Sequence, residues 1–457
     1  MELCFFCGTE SAWKHGTWHG RLKIVMTCKL PSSGHLTTPI PQIIFMKIRS
    51  NVAFFVTKPI NMEENVRRET ELDAVRGIAA LIVVFFHFWL IMPDEWKTQA
   101  VRFPMLMGHS FNLETLFHFT PLRLLISGSG AVGLFFVLSG YVLSLSISRH
   151  GMASYERFVV RRICRIYLPF VAIILFAALM LVLVKKAPLT GVSEWFSNGP
   201  WSVYPTEQVI MGHLLMTGTV PLLSLDNPAW SLVIEMRVSL IFPVLFVLME
   251  KYRAQTLAAV MILYFAASMF LNSVGQNPPT TFTNSLIFTF EYLPLFVVGI
   301  LFFQFRENIR TFYGSRSSMV RNAVLPLAII LLGVPAIGPE NAVGVIRNLI
   351  WLVCTTIGSV ATICVALHNE RICGYLQKSH MQGLGHISYS LYLSHLVIVL
   401  SMAYALNAIM PVWAWLVLAL PVSIAGATAC FWLVEYPCMQ AGYWLTRRPV
   451  LKPELVG

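Results

Sequence analysis

The sequence predicts an all-α, polytopic membrane helix bundle of about ten spans. Two observations carry that reading. Hydrophobic residues make up 56% of the 457 residues and charged residues only 12%, with a mean hydropathy of +0.68. A soluble domain carries about a quarter charged residues, so half the usual charge is left to cover the surface, and most of that surface must face lipid. The apolar residues also fall in long runs close to the roughly 20 residues that a bilayer crossing needs.

The runs lie near 74–92, 129–148, 166–184, 230–249, 256–273, 285–305, 322–338, 346–367, 388–410 and 412–434. The stretch 208–224 is short and contains Gly212, His213 and Gly218, and reads as a re-entrant or interfacial segment. Charge supports ten spans. With residue 70 inside, the inner loops gather Arg149, Arg157, Arg161, Arg162 and Arg165, with further basic clusters near 251, 306–321, 371 and 447. The outer loops hold only Lys97, Arg102, Arg123, Lys185 and Lys186. Such a bias marks the cytoplasmic side, and it puts both termini in the cytoplasm. An eleventh span at 208–224 would destroy it.

Residues 1–61 lack this regularity and read as a poorly ordered extension, with Met62 as a candidate natural start. Residues 62–440 form the membrane domain, and 441–457 a cytoplasmic tail. Cys4 and Cys7 form a lone CxxC with no second pair, which argues against a zinc site. Cys164, Cys354, Cys364 and Cys430 lie in or beside apolar runs as reduced core residues. The net charge of +11 is spread over short clusters between apolar runs, not one basic face, so it does not indicate nucleic-acid binding.

Ionisable groups within a bilayer are costly and mark function. The first run holds Asp73, Arg76 and His87. His87 stands eleven residues beyond Arg76, roughly 16 Å deeper and close to three turns on, so both share one helix face. Asp73 and Arg76 are three apart and can pair. A deep imidazole needs polar partners on both nitrogens. Gly133 and Gly140 in the second run suit close helix packing, while Ser139 and Tyr141 could line a polar cavity. Arg162 and Arg165 form a fork able to grip phosphate. The fourth run opens with Asn227 to Arg237 and contains Trp230 and Glu235, with Arg76 and His87 as candidate partners of that carboxylate. His395 is a second deep histidine. Glu291 and Glu435 are further buried carboxylates, the latter read as structural.

Together these segments resemble the membrane-bound acyltransferase 3 family over about 70–437. The family's signature is a basic residue, ten intervening residues and a histidine, met by Arg76 and His87. Further matches are Phe135-Phe-Val-Leu-Ser-Gly-Tyr141, the pair Arg162 and Arg165, Trp230-Ser-Leu-Val-Ile-Glu235 and Ile387-Ser-Tyr-Ser-Leu-Tyr-Leu-Ser-His395. Val238 and Ser239 stand where the family often has Phe-Tyr, and Leu168 interrupts its usual Tyr-Pro.

The resemblance implies acyl transfer, usually of acetyl, from acetyl-CoA to a hydroxyl of a glycan or other acceptor, without a metal, in a bacterial inner membrane. It implies His87 and Glu235 as the catalytic pair and Arg76, Arg162 and Arg165 as the donor-phosphate grip. Asp73, Ser139, Tyr141, Trp230 and His395 complete the candidate pocket. His87 would act as general base or briefly carry the acyl group, since imidazole's ordinary pKa of about 6.5 permits either. A secondary transporter or flippase that buries His, Glu and Arg is the alternative, though no pair of broken helices stands out.

Overall fold

The computed structural model describes residues 6–14, 17–25, 69–98, 101–102, 110–150, 155–185, 188–219, 224–275, 279–334 and 344–447. The chain divides into two units, Met1–Arg67 and Arg68–Gly457. In the first, β1 (Phe6–Lys14) and β2 (Thr17–Val25) form an antiparallel hairpin, in register from Phe6 opposite Val25 to Lys14 opposite Thr17. Cys4 and the remainder of the 1–61 stretch lie outside the described residues.

The second unit is a bundle of apolar helices. They are α1 (Thr70–Ile91), α2 (Gly128–Arg149), α3 (Tyr155–Val184), α4 (Ala229–Lys251), α5 (Arg253–Val274), α6 (Phe282–Gln304), α7 (Ser318–Gly333), α8 (Gly344–His368), α9 (Ser388–Leu406) and α10 (Val412–Leu445). Among the described residues, nine of these are long and apolar enough to cross a membrane, and α7 is shorter. Each of the ten runs in the sequence thus became a helix. The C-terminal end of the 322–338 run lies outside the described residues. Within 208–224, the helix Glu207–Leu214 has only 8 residues, about 12 Å of rise, and does not cross. In the second unit β-structure is confined, among the described residues, to the short pairing of Val101–Arg102 with Ser110–Phe111.

Small residues let the central helices meet backbone to backbone, the usual basis of helix association in lipid. A Cβ on Gly140 of α2 would stand 2.2 Å from the Phe296 carbonyl oxygen of α6, and one on Gly299 would stand 2.3 Å from the Val137 carbonyl oxygen. The same holds where α1 passes the short helix Ser379–His386, since a Cβ on Gly77 would stand 2.7 Å from the backbone nitrogen of Gly385. Gly133 faces the Thr355 methyl of α8. Cys164, Cys354, Cys364, Cys373, Cys430 and Cys438 are free thiols.

Two helices contain a widened π turn, at Ile163–Tyr167 in α3 and at Phe431–Glu435 in α10. Each precedes a proline by two residues, Pro169 and Pro437. Proline lacks an N–H and its ring clashes with the carbonyl four residues back. A π turn relieves that clash locally and lets the helix continue. For this reason α10 runs through Pro437 to Leu445, beyond residue 441, where the sequence suggested that a tail begins. Residues 448–457 lie outside the described residues.

Candidate active site

Two adjoining layers make the site. The first is a cavity with about 750 Å³ of empty space including its mouth, lined by Arg76 of α1, Arg162 and Arg165 of α3, Ser139 of α2, Ser231 and Glu235 of α4, and Tyr389 and Tyr392 of α9. Three guanidinium groups against one carboxylate leave it positive, a setting for a polyanionic ligand. Arg76 lies 3.7 Å from Asp73 on the preceding turn. Ser139 donates to Glu235 Oε1 at 2.9 Å. The π turn orients Arg165, and the Tyr389 hydroxyl fastens it by donating to the Ile166 carbonyl at 2.6 Å. Ser390 donates to the buried Glu435 at 2.6 Å, tying α9 to the second π turn.

At the inner wall, the hydroxyls of Ser231 and Tyr392 are 2.6 Å apart, and Ser231 also reaches the Pro228 carbonyl at 3.1 Å. Behind that wall stands the second layer. The Tyr392 and His395 rings are 6.4 Å apart. His395 Nε2 is 3.1 Å from His87 Nδ1. Each ring also uses its Nδ1 on the carbonyl one turn back, His87 on Val83 at 2.9 Å and His395 on Leu391 at 2.9 Å. The Asn227 side chain lies within hydrogen-bonding reach of His87. His87 is 4% exposed and His395 fully buried.

The far end of α1 is closed by the segment after α3. The Ser193 backbone N–H donates to the Ile91 carbonyl at 3.0 Å, and its hydroxyl donates to the Leu90 carbonyl. The short helix Glu194–Asn198 then places the Trp195 ring 6.0 Å from the His87 ring. This cover keeps water from the imidazoles. Nearby, Asp226 is fully buried, and neither carboxylate oxygen has a hydrogen-bond partner among the described residues. Burial pushes its carboxyl well above the usual carboxylate range.

The structure thus brings Arg76, Arg162, Arg165, Ser139 and Glu235 together, and separately His87 and His395. Glu235 is not among the hydrogen-bond partners of the His87 ring; it stands with Ser139 in the arginine-lined cavity instead. Tyr141 turns away, donating to Glu69 Oε1 at 3.0 Å, and burial raises the Glu69 carboxyl. Trp230 packs on Phe288 and Tyr292 and is not part of the cavity lining. Reasoning from sequence missed Ser231, Tyr389 and Tyr392, although all three fall inside segments that stand out there, Ser231 next to Trp230 and the two tyrosines six and three residues before His395. Trp195 carries no comparable sign, because it reaches the site from a short helix outside the apolar runs.

Residues 69–432 match the profile of a family described as an acyltransferase domain. The chain is 27% identical over 354 residues to the acyltransferase MdmB of Streptomyces mycarofaciens, covering 74% of this chain and 81% of that protein. It is 34% identical over 137 residues to the O-acetyltransferase PaAT-1 of Phomopsis amygdali, covering 27% of this chain and only 26% of that protein's length. No solved structure matches it. With helices long and apolar enough to cross a membrane and with most of its length matched, the chain is an integral membrane protein that belongs to the acyltransferase-domain family.

Proposed function

We propose that the protein transfers an acyl group, acetyl in the simplest case, from acyl-CoA to a hydroxyl of a glycan or other hydroxylated acceptor. The convergence of Arg76, Arg162 and Arg165 on one cavity, whose inner wall abuts the His87 and His395 pair, carries this reading. The arginines suit the phosphates of the donor, and the apolar part of the cavity, with Phe135, Phe136 and Val132, suits the thioester arm. The name of PaAT-1 supports an acetyl group on oxygen.

In the proposed reaction, Nε2 of His87 takes the proton of the acceptor hydroxyl as its oxygen attacks the thioester carbonyl. The tetrahedral intermediate collapses with cleavage of the carbon–sulfur bond. His87 returns the proton to the departing thiolate, giving ester and free thiol. The Trp195 cover keeps bulk water from competing with the acceptor. Glu235 acts at the donor end by balancing the arginines.

The purified chain, incubated with acetyl-CoA and a panel of hydroxylated acceptors, tests the proposal. Release of free thiol that saturates with acetyl-CoA is the expected result. Absence of thiol release with every acyl-CoA tried, alongside solute uptake in proteoliposomes, would overturn it in favour of a transporter.

A further inference from the structure

The two buried histidines are arranged directionally. A backbone carbonyl can only accept, so His395 Nδ1, 2.9 Å from the Leu391 oxygen, carries a proton. The neutral ring then has a bare Nε2, and that nitrogen faces His87 Nδ1 at 3.1 Å. His87 Nδ1 also lies 2.9 Å from the Val83 oxygen, so it too carries a proton, shared between two acceptors. Both contacts demand one tautomer of His87 and leave its lone pair on Nε2.

We infer that His395 is a positioning residue for His87, fixing the tautomer whose Nε2 is the base and accepting the Nδ1–H bond while His87 is an imidazolium. The inference rests on the acyl-transfer reading above. When the hydroxyl proton reaches Nε2, both nitrogens of His87 bear protons, and the His395 lone pair receives the inner one. When the thiolate takes the Nε2 proton back, the starting tautomer is restored and His395 has neither gained nor lost a proton. Serine hydrolases give this task to a carboxylate. Here the two rings meet the Val83 and Leu391 carbonyls, the Asn227 side chain and each other, with no carboxylate among these partners. A neutral imidazole performs it without the desolvation cost of holding a negative charge in an apolar interior.

The test compares thiol release from acetyl-CoA, in the presence of a saturating hydroxylated acceptor, by the full chain and its variants, with kcat and KM read separately. His395→Leu, which fills the space but cannot accept, is expected to lower kcat about 100-fold with KM for acetyl-CoA nearly unchanged. His395→Gln, whose amide oxygen can accept, is expected to recover at least about tenfold of that loss. His395→Asn, too short to reach, is expected to behave like the leucine variant and stands in for it if that variant does not fold. In a His87→Ala background, His395→Leu is expected to cause no further loss. A leucine variant with wild-type kcat, equal losses in leucine and glutamine, or a further loss on top of His87→Ala would each overturn the assignment. If His87→Ala itself keeps full activity, the acyl-transfer base is wrong and the inference falls with it. An inactive His87→Ala beside a fully active His395→Leu would sink the inference alone.

Discussion

Ser139 of α2 donates a 2.9 Å hydrogen bond to Glu235 of α4, and the pair stands in the cavity that Arg76, Arg162 and Arg165 also line. The carboxylate thereby faces the arginines, at what the proposed reading makes the donor end. Glu235→Gln keeps the Ser139 bond but removes the charge, so its effect should differ in kind from loss of the base. The variant is expected to lower kcat by about tenfold or less and to shift KM for acetyl-CoA, whereas removal of a general base costs about 10²- to 10⁴-fold. Steady-state thiol release decides, and a loss in Glu235→Gln as large as in His87→Ala would place the carboxylate in the chemistry itself.

Arg162 and Arg165 are presented together by the π turn at Ile163–Tyr167. A charge-assisted hydrogen bond contributes about 1.5–3 kcal/mol, which corresponds to about 10- to 100-fold in affinity. Arg162→Ala is therefore expected to raise KM for acetyl-CoA by that factor with little change in kcat. Dephospho-CoA esters, which lack one phosphate, should show a smaller difference between wild type and variant.

Asp226 is fully buried with its oxygens unpartnered among the described residues, and its folded-state pKa is raised. A carboxyl that is harder to ionise when folded favours the folded state below its unfolded pKa of about 3.9, and this advantage is lost as pH rises toward the folded pKa. Melting temperature in detergent should consequently fall as pH rises above about 4 more steeply in wild type than in Asp226→Asn. Parallel curves would show that Asp226 is not the titrating group.

The approach of Gly77 to Gly385 positions the end of α1 that bears Arg76. Gly77→Ala puts a methyl within 2.7 Å of backbone, and overpacking of this kind costs about 1–3 kcal/mol. Gly374→Ala, which meets nothing within 4 Å, should leave stability unchanged or raise it slightly. Thermal melting of the two variants side by side measures the difference.

The helices are legible because lipid demands long apolar runs, and each such run folded as one. Arg76, Arg162, Arg165 and Glu235 are legible as charges that an apolar run would not otherwise tolerate. What sequence does not disclose is adjacency. His87 and His395 are 308 positions apart, and nothing in either helix states that α1 and α9 pack face to face. The expectation that Glu235 orients His87 illustrates this, since Glu235 is half-buried beside Ser139 in the arginine-lined cavity while the buried His87 ring meets His395. Tyr392 and Ser231 are uncharged, so they stand out only when their hydroxyls meet across 2.6 Å. The π turns are signalled only by the prolines that follow them.

The proposed base for acyl transfer is His87. The rate of thiol release from saturating acetyl-CoA with a saturating hydroxylated acceptor, wild type against His87→Ala, with both shown to fold by melting temperature, tests it most directly. A fall of at least about 100-fold is expected in the variant; a His87→Ala protein that melts normally and turns over at the wild-type rate would contradict the assignment.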